Sequence, residues 1–303
     1  MIIHSFALSL LLGFELSYYL LILQTGIVAH YNSDLVTLFP MFAGGVFGTW
    51  LSGVSWGGIK NPIHKIMVAL SLQLFLSFSY PNYNIFTLLF LGLAVGSMAP
   101  LGIYLFKAKQ QKELFFALSI AYTVGTYFFT YDVDSREFIA VLFTLIALSS
   151  ALVLKNYRVE VDSKVVSYPF AAYLPLILWI LLDSNLFETL SRHAGLDIWS
   201  KYTLTIALFH IAGLAVAYFV HIPKIKQHLL IAMLFAISYS LFYIASPFLL
   251  AVFYPFTISY YNVVVFRVLS EEMSLSKLAF MMMFVGWIAS GFGLVLALSR
   301  ILY

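Results

Sequence analysis

The sequence predicts an all-α, polytopic membrane protein of about 11 transmembrane helices in two pseudo-repeated halves. Three observations carry that prediction. The 303 residues are 62% hydrophobic and only 10% charged, whereas a soluble domain is roughly half apolar and a quarter charged. Mean hydropathy is +0.97. Apolar runs long enough to cross a bilayer recur from end to end, and the basic residues sort to alternate loops. A soluble enzyme, a disordered chain and a collagen are excluded. The alternating pattern of an outer-membrane barrel is absent. A net charge of +3 is too small to suggest a nucleic-acid partner. With no cysteine there is no disulfide, thiolate or Cys-based metal site.

Charges and turn residues cut the chain into segments at about 5–29, 34–56, 63–80, 84–106, 113–131, 137–155, 168–190, 200–221, 228–245, 247–266 and 275–300. The first, MIIHSFALSL onward, lacks a basic leader region and stays apolar to about Ala29, so it reads as an uncleaved span. Clear breaks fall at Pro81-Asn82, Lys107–Lys112, Asp132–Glu137 and Lys155–Lys164. The break at Ser246-Pro247 is the weakest and is also compatible with a Pro kink inside one longer hairpin. Pro40, Pro100 and Pro255 are expected to kink their spans. The 29 Phe and 20 Tyr are read as lipid-facing bulk and interfacial belts.

The positive-inside rule tests the count. Lys60, Lys65, Lys107, Lys109, Lys112, Lys155, Arg158, Lys164, Lys224, Lys226, Arg267 and Lys277 fall on one side, against Arg136, Arg192, Lys201 and Arg300 on the other. That sorting needs all the spans in alternation. It puts the N-terminus inside and the C-terminus outside; a chain that is Cys-free, short and poor in loops suits a bacterial cytoplasmic (inner) membrane. The expected domains are an N-terminal six-helix bundle at 1–155, a cytoplasmic linker at 156–167 and a C-terminal five-helix bundle at 168–303.

Sliding the chain by 169 residues lays Thr25–Thr49 over Ala194–Tyr218. Gly26 then meets Gly195, Leu35 meets Leu204, and Ala43-Gly44 meets Ala212-Gly213. Each window is a span end, a short turn and a span with small residues at its middle. Carriers are often built from such halves.

The segments GFELSYYLLILQTGIVAHYNSDLVTLFPMFAGGVFGTWLSG, LILWILLDSNLFETLSRHAGLDIWSKYTLTIALFHIAGLAVAYF and NVVVFRVLSEEMSLSKLAFMMMFVGWIASGFG resemble the major facilitator superfamily. The likeness is one of pattern over nearly the whole chain. It implies a short form without the twelfth span, in which two bundles rock about a site at the bilayer midplane. The chain departs from the family in the loop between spans 2 and 3, where an Asp is missing and only Lys60 and Lys65 keep the charge.

Few ionisable side chains lie at bilayer depth, where each costs several kcal/mol and is a functional candidate. Glu15 lies in span 1 and Asp183 in span 7, one position apart under the offset. A carboxyl in apolar surroundings can exchange a proton near neutral pH, so both are candidates for proton coupling. The alternative is a single buried acid paired with a neighbouring Tyr or backbone group. Tyr18 and Tyr19 share the face of Glu15 and are expected to bond its carboxyl or to line a cavity. Gln24, Met41, Asn185 and His210 complete the candidate substrate contacts, although polar residues in spans more often join helices. Glu188 and His193 read as interfacial. Met281-Met282-Met283 reads as core, because three consecutive residues on a helix cannot face one site. No metal or other cofactor is expected. The stripes Gly44, Gly48, Ser52, then Gly92, Gly96, then Gly286, Ser290 allow close helix approach.

No nucleotide-binding or hydrolase motif is present, so the chain is not expected to be an enzyme. The resemblance and the buried acids together imply a secondary carrier of a small solute. It would work by alternating access and proton coupling, through a cavity between the halves lined by Glu15, Tyr19, Asp183 and His210. The partners expected are that small solute and the lipid bilayer. Two other readings are open: a facilitator-derived scaffold or assembly factor that moves nothing, and a facilitator-type copper importer. Against the importer, Leu214 stands four residues after His210 and span 7 has no Met.

Overall fold

The computed structural model describes residues 2–59, 61–106, 111–157, 169–192, 194–271 and 274–299. They form 11 long helices, which we number α1 (Ile2–His30), α2 (Leu35–Gly53), α3 (Pro62–Ser77), α4 (Ile85–Leu105), α5 (Gln111–Phe128), α6 (Glu137–Val153), α7 (Phe170–Arg192), α8 (Ile198–Phe219), α9 (Lys224–Tyr243), α10 (Pro247–Ser270) and α11 (Leu275–Ser299). Eight of them are long and apolar enough to cross a membrane, while α3 and α6 are shorter apolar helices.

The polar residues between the apolar runs start the helices. Asp34, Asn61, Asn84, Asp197 and Ser274 each accept a backbone N–H of the first turn with the side chain. Asn84 and Thr87 bond reciprocally as a capping box. The hydroxyl of Thr37 on the exposed Asp34 carboxyl holds that acid below its usual range. The weakest break is real: α9 ends at Tyr243, Ala245 takes φ +51°, and Pro247 opens α10. Pro40, Pro100 and Pro255 are carried inside α2, α4 and α10.

Three features depart from a simple run of α-helices, the first being a kink in α8 at Tyr202 (φ −129°, ψ 28°). From Tyr19 to Ile27 α1 is a π-helix, as is α11 from Met283 to Ile288. The second span also stops three residues short of the expected 56, because the loop folds back on it. Trp56 Nε1 donates to the Leu51 carbonyl at 2.8 Å. Lys65 Nζ, reaching from α3, donates to the carbonyls of Ser52 (2.9 Å) and Val54 (2.6 Å). Lys65, expected as a loop charge, is buried and caps the negative end of α2.

The chain divides into two compact units, Met1–Ser167 with Leu269–Met283, and Tyr168–Val268 with Phe284–Tyr303. In the first, α1 packs on α5 and α6, α3 packs on α4 and α6, and the opening turns of α11 lie on α2. Its tightest seam joins α2 to α4. A Cβ on Gly44 would stand 2.1 Å from the Leu89 carbonyl oxygen, and one on Gly92 would stand 2.0 Å from that of Met41. Gly48 and Gly96 repeat the pattern one turn on, against Leu93 and Gly45. Across the seam Thr49 Oγ1 donates to the Gly96 carbonyl (2.9 Å), and Ser97 Oγ donates to that of Gly48 (3.0 Å). In the second unit α7 packs on the end of α11 and on α9. Gly213 of α8 abuts the backbone of Phe256 on α10. Large side chains such as Phe6, Phe39, Phe75, Phe86, Phe138 and Leu204 are exposed, as suits a protein whose solvent is lipid.

Candidate functional site

Each unit holds one acid of the expected pair, in a different setting. Glu15 sits on the α-helical part of α1 and is 5% exposed. Its Oε2 accepts from Gln73 Nε2 of α3 at 3.0 Å. The same Gln73 nitrogen donates to Thr144 Oγ1 of α6 at 3.2 Å, and Thr144 spends its own proton on the Ala140 carbonyl. Thr144 can therefore only accept from Gln73, which fixes the amide with its nitrogen toward Glu15. Both N–H groups of that amide are then used. Glu15 Oε1 and Gln73 Oε1 remain buried with no hydrogen-bond partner. No cationic side chain of the described residues pairs with Glu15.

The same two helices answer Tyr18, which is fully buried. Ser77, one turn after Gln73, gives its proton to the Gln73 carbonyl and so takes the Tyr18 hydroxyl proton at 3.0 Å. Tyr18 thus shares the face of Glu15, as its spacing predicts, but bonds Ser77. The group on the carboxyl is Gln73, which sequence reasoning missed. A polar residue inside a short span was the available signal. Replacing Gln73 with Leu is expected to cost about 1–3 kcal/mol by removing the donor of a buried acid. Thermal unfolding of the purified protein checks it, since an unchanged melting temperature would mean that the bond contributes nothing.

Tyr19 and Gln24, both half-buried, lie on the π-helical stretch. That stretch is clasped by Arg136, a residue noted in the sequence only as a charge on the sparsely charged side. Arg136 is 2% exposed. Its five hydrogen bonds run to Leu21 O (2.7 Å), Thr25 Oγ1 (2.9 Å), Phe129 O (2.7 Å) and twice to Tyr131 O (3.1 and 2.9 Å). Burial pulls its basicity down and Tyr80 and Asp132 oppose that shift. Tyr80, from the α3–α4 connection, donates to the Val133 carbonyl at 2.6 Å, and His30 of α1 meets Asp134 at 2.6 Å, so the 129–136 turn is tied to both.

Met41 is buried at the α2–α4 seam, where its carbonyl meets Gly92.

In the second unit Asp183 is half-buried at the middle of α7. Tyr254 and Tyr261, seven residues apart on α10, donate to its two oxygens at 2.9 and 2.5 Å. Asn185, two positions on, points to α9 and takes the Tyr239 hydroxyl on Oδ1 at 2.9 Å. His210 Nδ1 on α8 lies 2.7 Å from Ser259 Oγ on α10. Glu188 is paired with Arg192 at 2.6 Å. His193 lies outside the described residues. Among the described residues no three His, Cys, Asp or Glu side chains come together as a metal site. The tyrosines on Asp183 were also missed, although their spacing of two helical turns places them on one face.

This arrangement defines a multi-pass, all-helical membrane protein with buried, unneutralised acids. No protein-family model matches the chain, and no curated protein matches it significantly.

Proposed function

We propose that the protein is a secondary transporter of the facilitator type, in which protons exchanged at Glu15 and Asp183 drive a small solute across a bacterial cytoplasmic membrane, with the N-terminus inside. The observation that carries the reading is Glu15. A carboxyl sealed among apolar helices, with no cation beside it and one oxygen unpartnered, costs several kcal/mol that a leucine would not. A group that takes up and gives back a proton accounts for its place there.

The packing supports a repeat of the facilitator kind. In the first unit α1 lies on α5 and α2 on α4; in the second α7 lies on α11 and α8 meets α10. Gly44 and Gly213, aligned by the 169-residue offset, sit at the corresponding crossings. Met41 and His210, aligned by the same offset, stand one turn before them. The candidate solute contacts are Tyr18, Met41 and the half-buried Tyr19 and Gln24 in the first unit, and Asn185 and His210 in the second. The reading requires no bond-breaking chemistry.

The test is uptake into proteoliposomes under an imposed pH gradient, from a pool of amino acids, sugars, nucleosides, polyamines, organic acids and Cu(I), read by mass spectrometry. At least one solute is expected to accumulate above empty liposomes, and Glu15→Gln and Asp183→Asn are each expected to abolish that accumulation while the protein stays folded. If no solute accumulates, or if both variants accumulate it like the wild type, the reading fails and the scaffold reading takes its place.

A further inference from the structure

We infer that Asp183 is the counter-ion for an organic cation, which makes the transported solute a small ammonium compound that exchanges with a proton at this carboxyl. The word "transported" rests on the carrier reading above, whereas the binding site rests on the geometry of the second unit alone.

Among the described residues two acids on α7 are drawn inward, and only one is neutralised. Glu188 has Arg192 at 2.6 Å. Asp183 has two tyrosine hydroxyls and no Lys, Arg or His. Hydroxyls orient a carboxylate without cancelling its charge. The two hydroxyls engage both oxygens, and each oxygen keeps a lone pair for a further partner. Asp183 keeps some exposed surface, whereas Tyr254 and Tyr261 are almost fully buried.

Next comes the lining. From Tyr261, which holds Asp183, a largely buried row of rings from three helices continues into the second unit. Tyr261 lies 5.4 Å from Phe235 of α9, Phe235 stacks on Trp179 of α7 at 6.0 Å, and Trp179 stacks on His228 at 6.3 Å. Trp179 precedes Asp183 by one helical turn on the same face. Aromatic faces carry negative potential and attract cations, most strongly where water is excluded. A carboxylate with no cation beside it, at the end of an aromatic row, suits an ammonium group better than a sugar, which would leave the charge unmet, or an anion, which would be repelled. A bare metal ion would find rings where it needs oxygen or nitrogen ligands.

Proton exchange follows from occupancy. One carboxyl cannot keep a proton and also pair with a cation, so a cation that enters the protonated site releases one proton to water and total charge is conserved. The other titratable groups of the helices packed there are Tyr254, Tyr260, Tyr261 and Arg267 on α10, and Lys224, Lys226, His228, Tyr239 and Tyr243 on α9. The part of α11 in this unit, 284–299, carries no charged residue.

The experiment is ligand binding to the purified full-length protein in detergent, by calorimetry and by thermal shift. The probes are choline, tetraethylammonium, and the uncharged dimethylbutanol isostere of choline. At least one cation is expected to bind and the isostere is not. Asp183→Asn is expected to weaken cation binding by about tenfold or more, and Phe235→Leu by a few-fold. Wild-type affinity should rise with pH as the proton ceases to compete. The melting temperature of Asp183→Asn without ligand reports whether that variant folds; if it does not, Phe235→Leu and the wild-type pH series decide. The inference is overturned if neither cation binds, if the isostere binds as well as choline, or if the variants and the pH leave affinity unchanged. Binding needs no gradient and no liposome, so a cation that binds but is not accumulated would sink the carrier reading and leave the site standing.

Discussion

Replacing Arg136 with alanine is expected to destabilise the first unit by about 4 kcal/mol or more, which lowers the melting temperature by about 10 °C or prevents accumulation in the membrane. All five N–H donors of the guanidinium are used, and their acceptors are three backbone carbonyls and one threonine hydroxyl. Alanine would leave the carbonyls of Leu21, Phe129 and Tyr131 without this donor, at a place where water does not readily substitute. Lysine should not rescue, because an ammonium is a point donor and cannot reach acceptors spread around a planar fork. Thermal unfolding of Arg136→Ala and Arg136→Lys, with Lys201→Ala as an exposed control, measures the effect. Wild-type melting of both Arg136 variants would mean that the turn is held by Tyr80 and His30 instead.

The second large effect is expected at the α2–α4 seam. A methyl group on Gly92 would meet the Met41 carbonyl oxygen at 2.0 Å, far inside any tolerated contact. The obstacle is backbone, so no rotamer change relieves it, and the helices must part. Parting them lengthens the bonds from Thr49 to Gly96 and from Ser97 to Gly48. Gly92→Ala is therefore expected to cost about 3 kcal/mol or more. Gly291→Ala, where the added methyl would meet nothing within 4 Å, is expected to be neutral or slightly stabilising. Melting curves of the two variants side by side check the contrast. Equal behaviour would mean that the seam is not as close as 2.0 Å implies.

Some of this was legible in the sequence. The helices were, eight of them long and apolar enough to span, because lipid demands long apolar runs and the interruptions between them are sharp. The glycine seam was, because residues four apart fall on one helix face and small side chains mark where backbones meet. That Glu15 is a buried acid was also readable from its place well inside an apolar run, whereas Glu188, read as interfacial, is buried (3% exposed) and Asp183 only half so. The partners of the acids were not readable. Gln73 and Thr144 reach Glu15 from α3 and α6, and Tyr254 and Tyr261 reach Asp183 from α10, through contacts that depend on how helices far apart in sequence come together. Lys65 misled for the same reason: it counts as a loop charge until the loop is seen folding back over it. The wide turns of α1 were invisible, since what holds them is an arginine about 115 residues away.

Those wide turns also bear on how the protein tolerates change in its gene. An α-helix uses 3.6 residues per turn and a π-helix more, so the stretch from Tyr19 to Ile27 packs additional chain into a given rise. Elsewhere in the spans, losing one codon would rotate everything beyond it by about 100° and turn buried faces toward lipid. Between Tyr19 and Ile27 the missing residue can be absorbed by local tightening to α geometry, which leaves Glu15 on one side and His30 on the other facing as before. Single-residue length variation among descendants of this sequence should therefore collect in that segment.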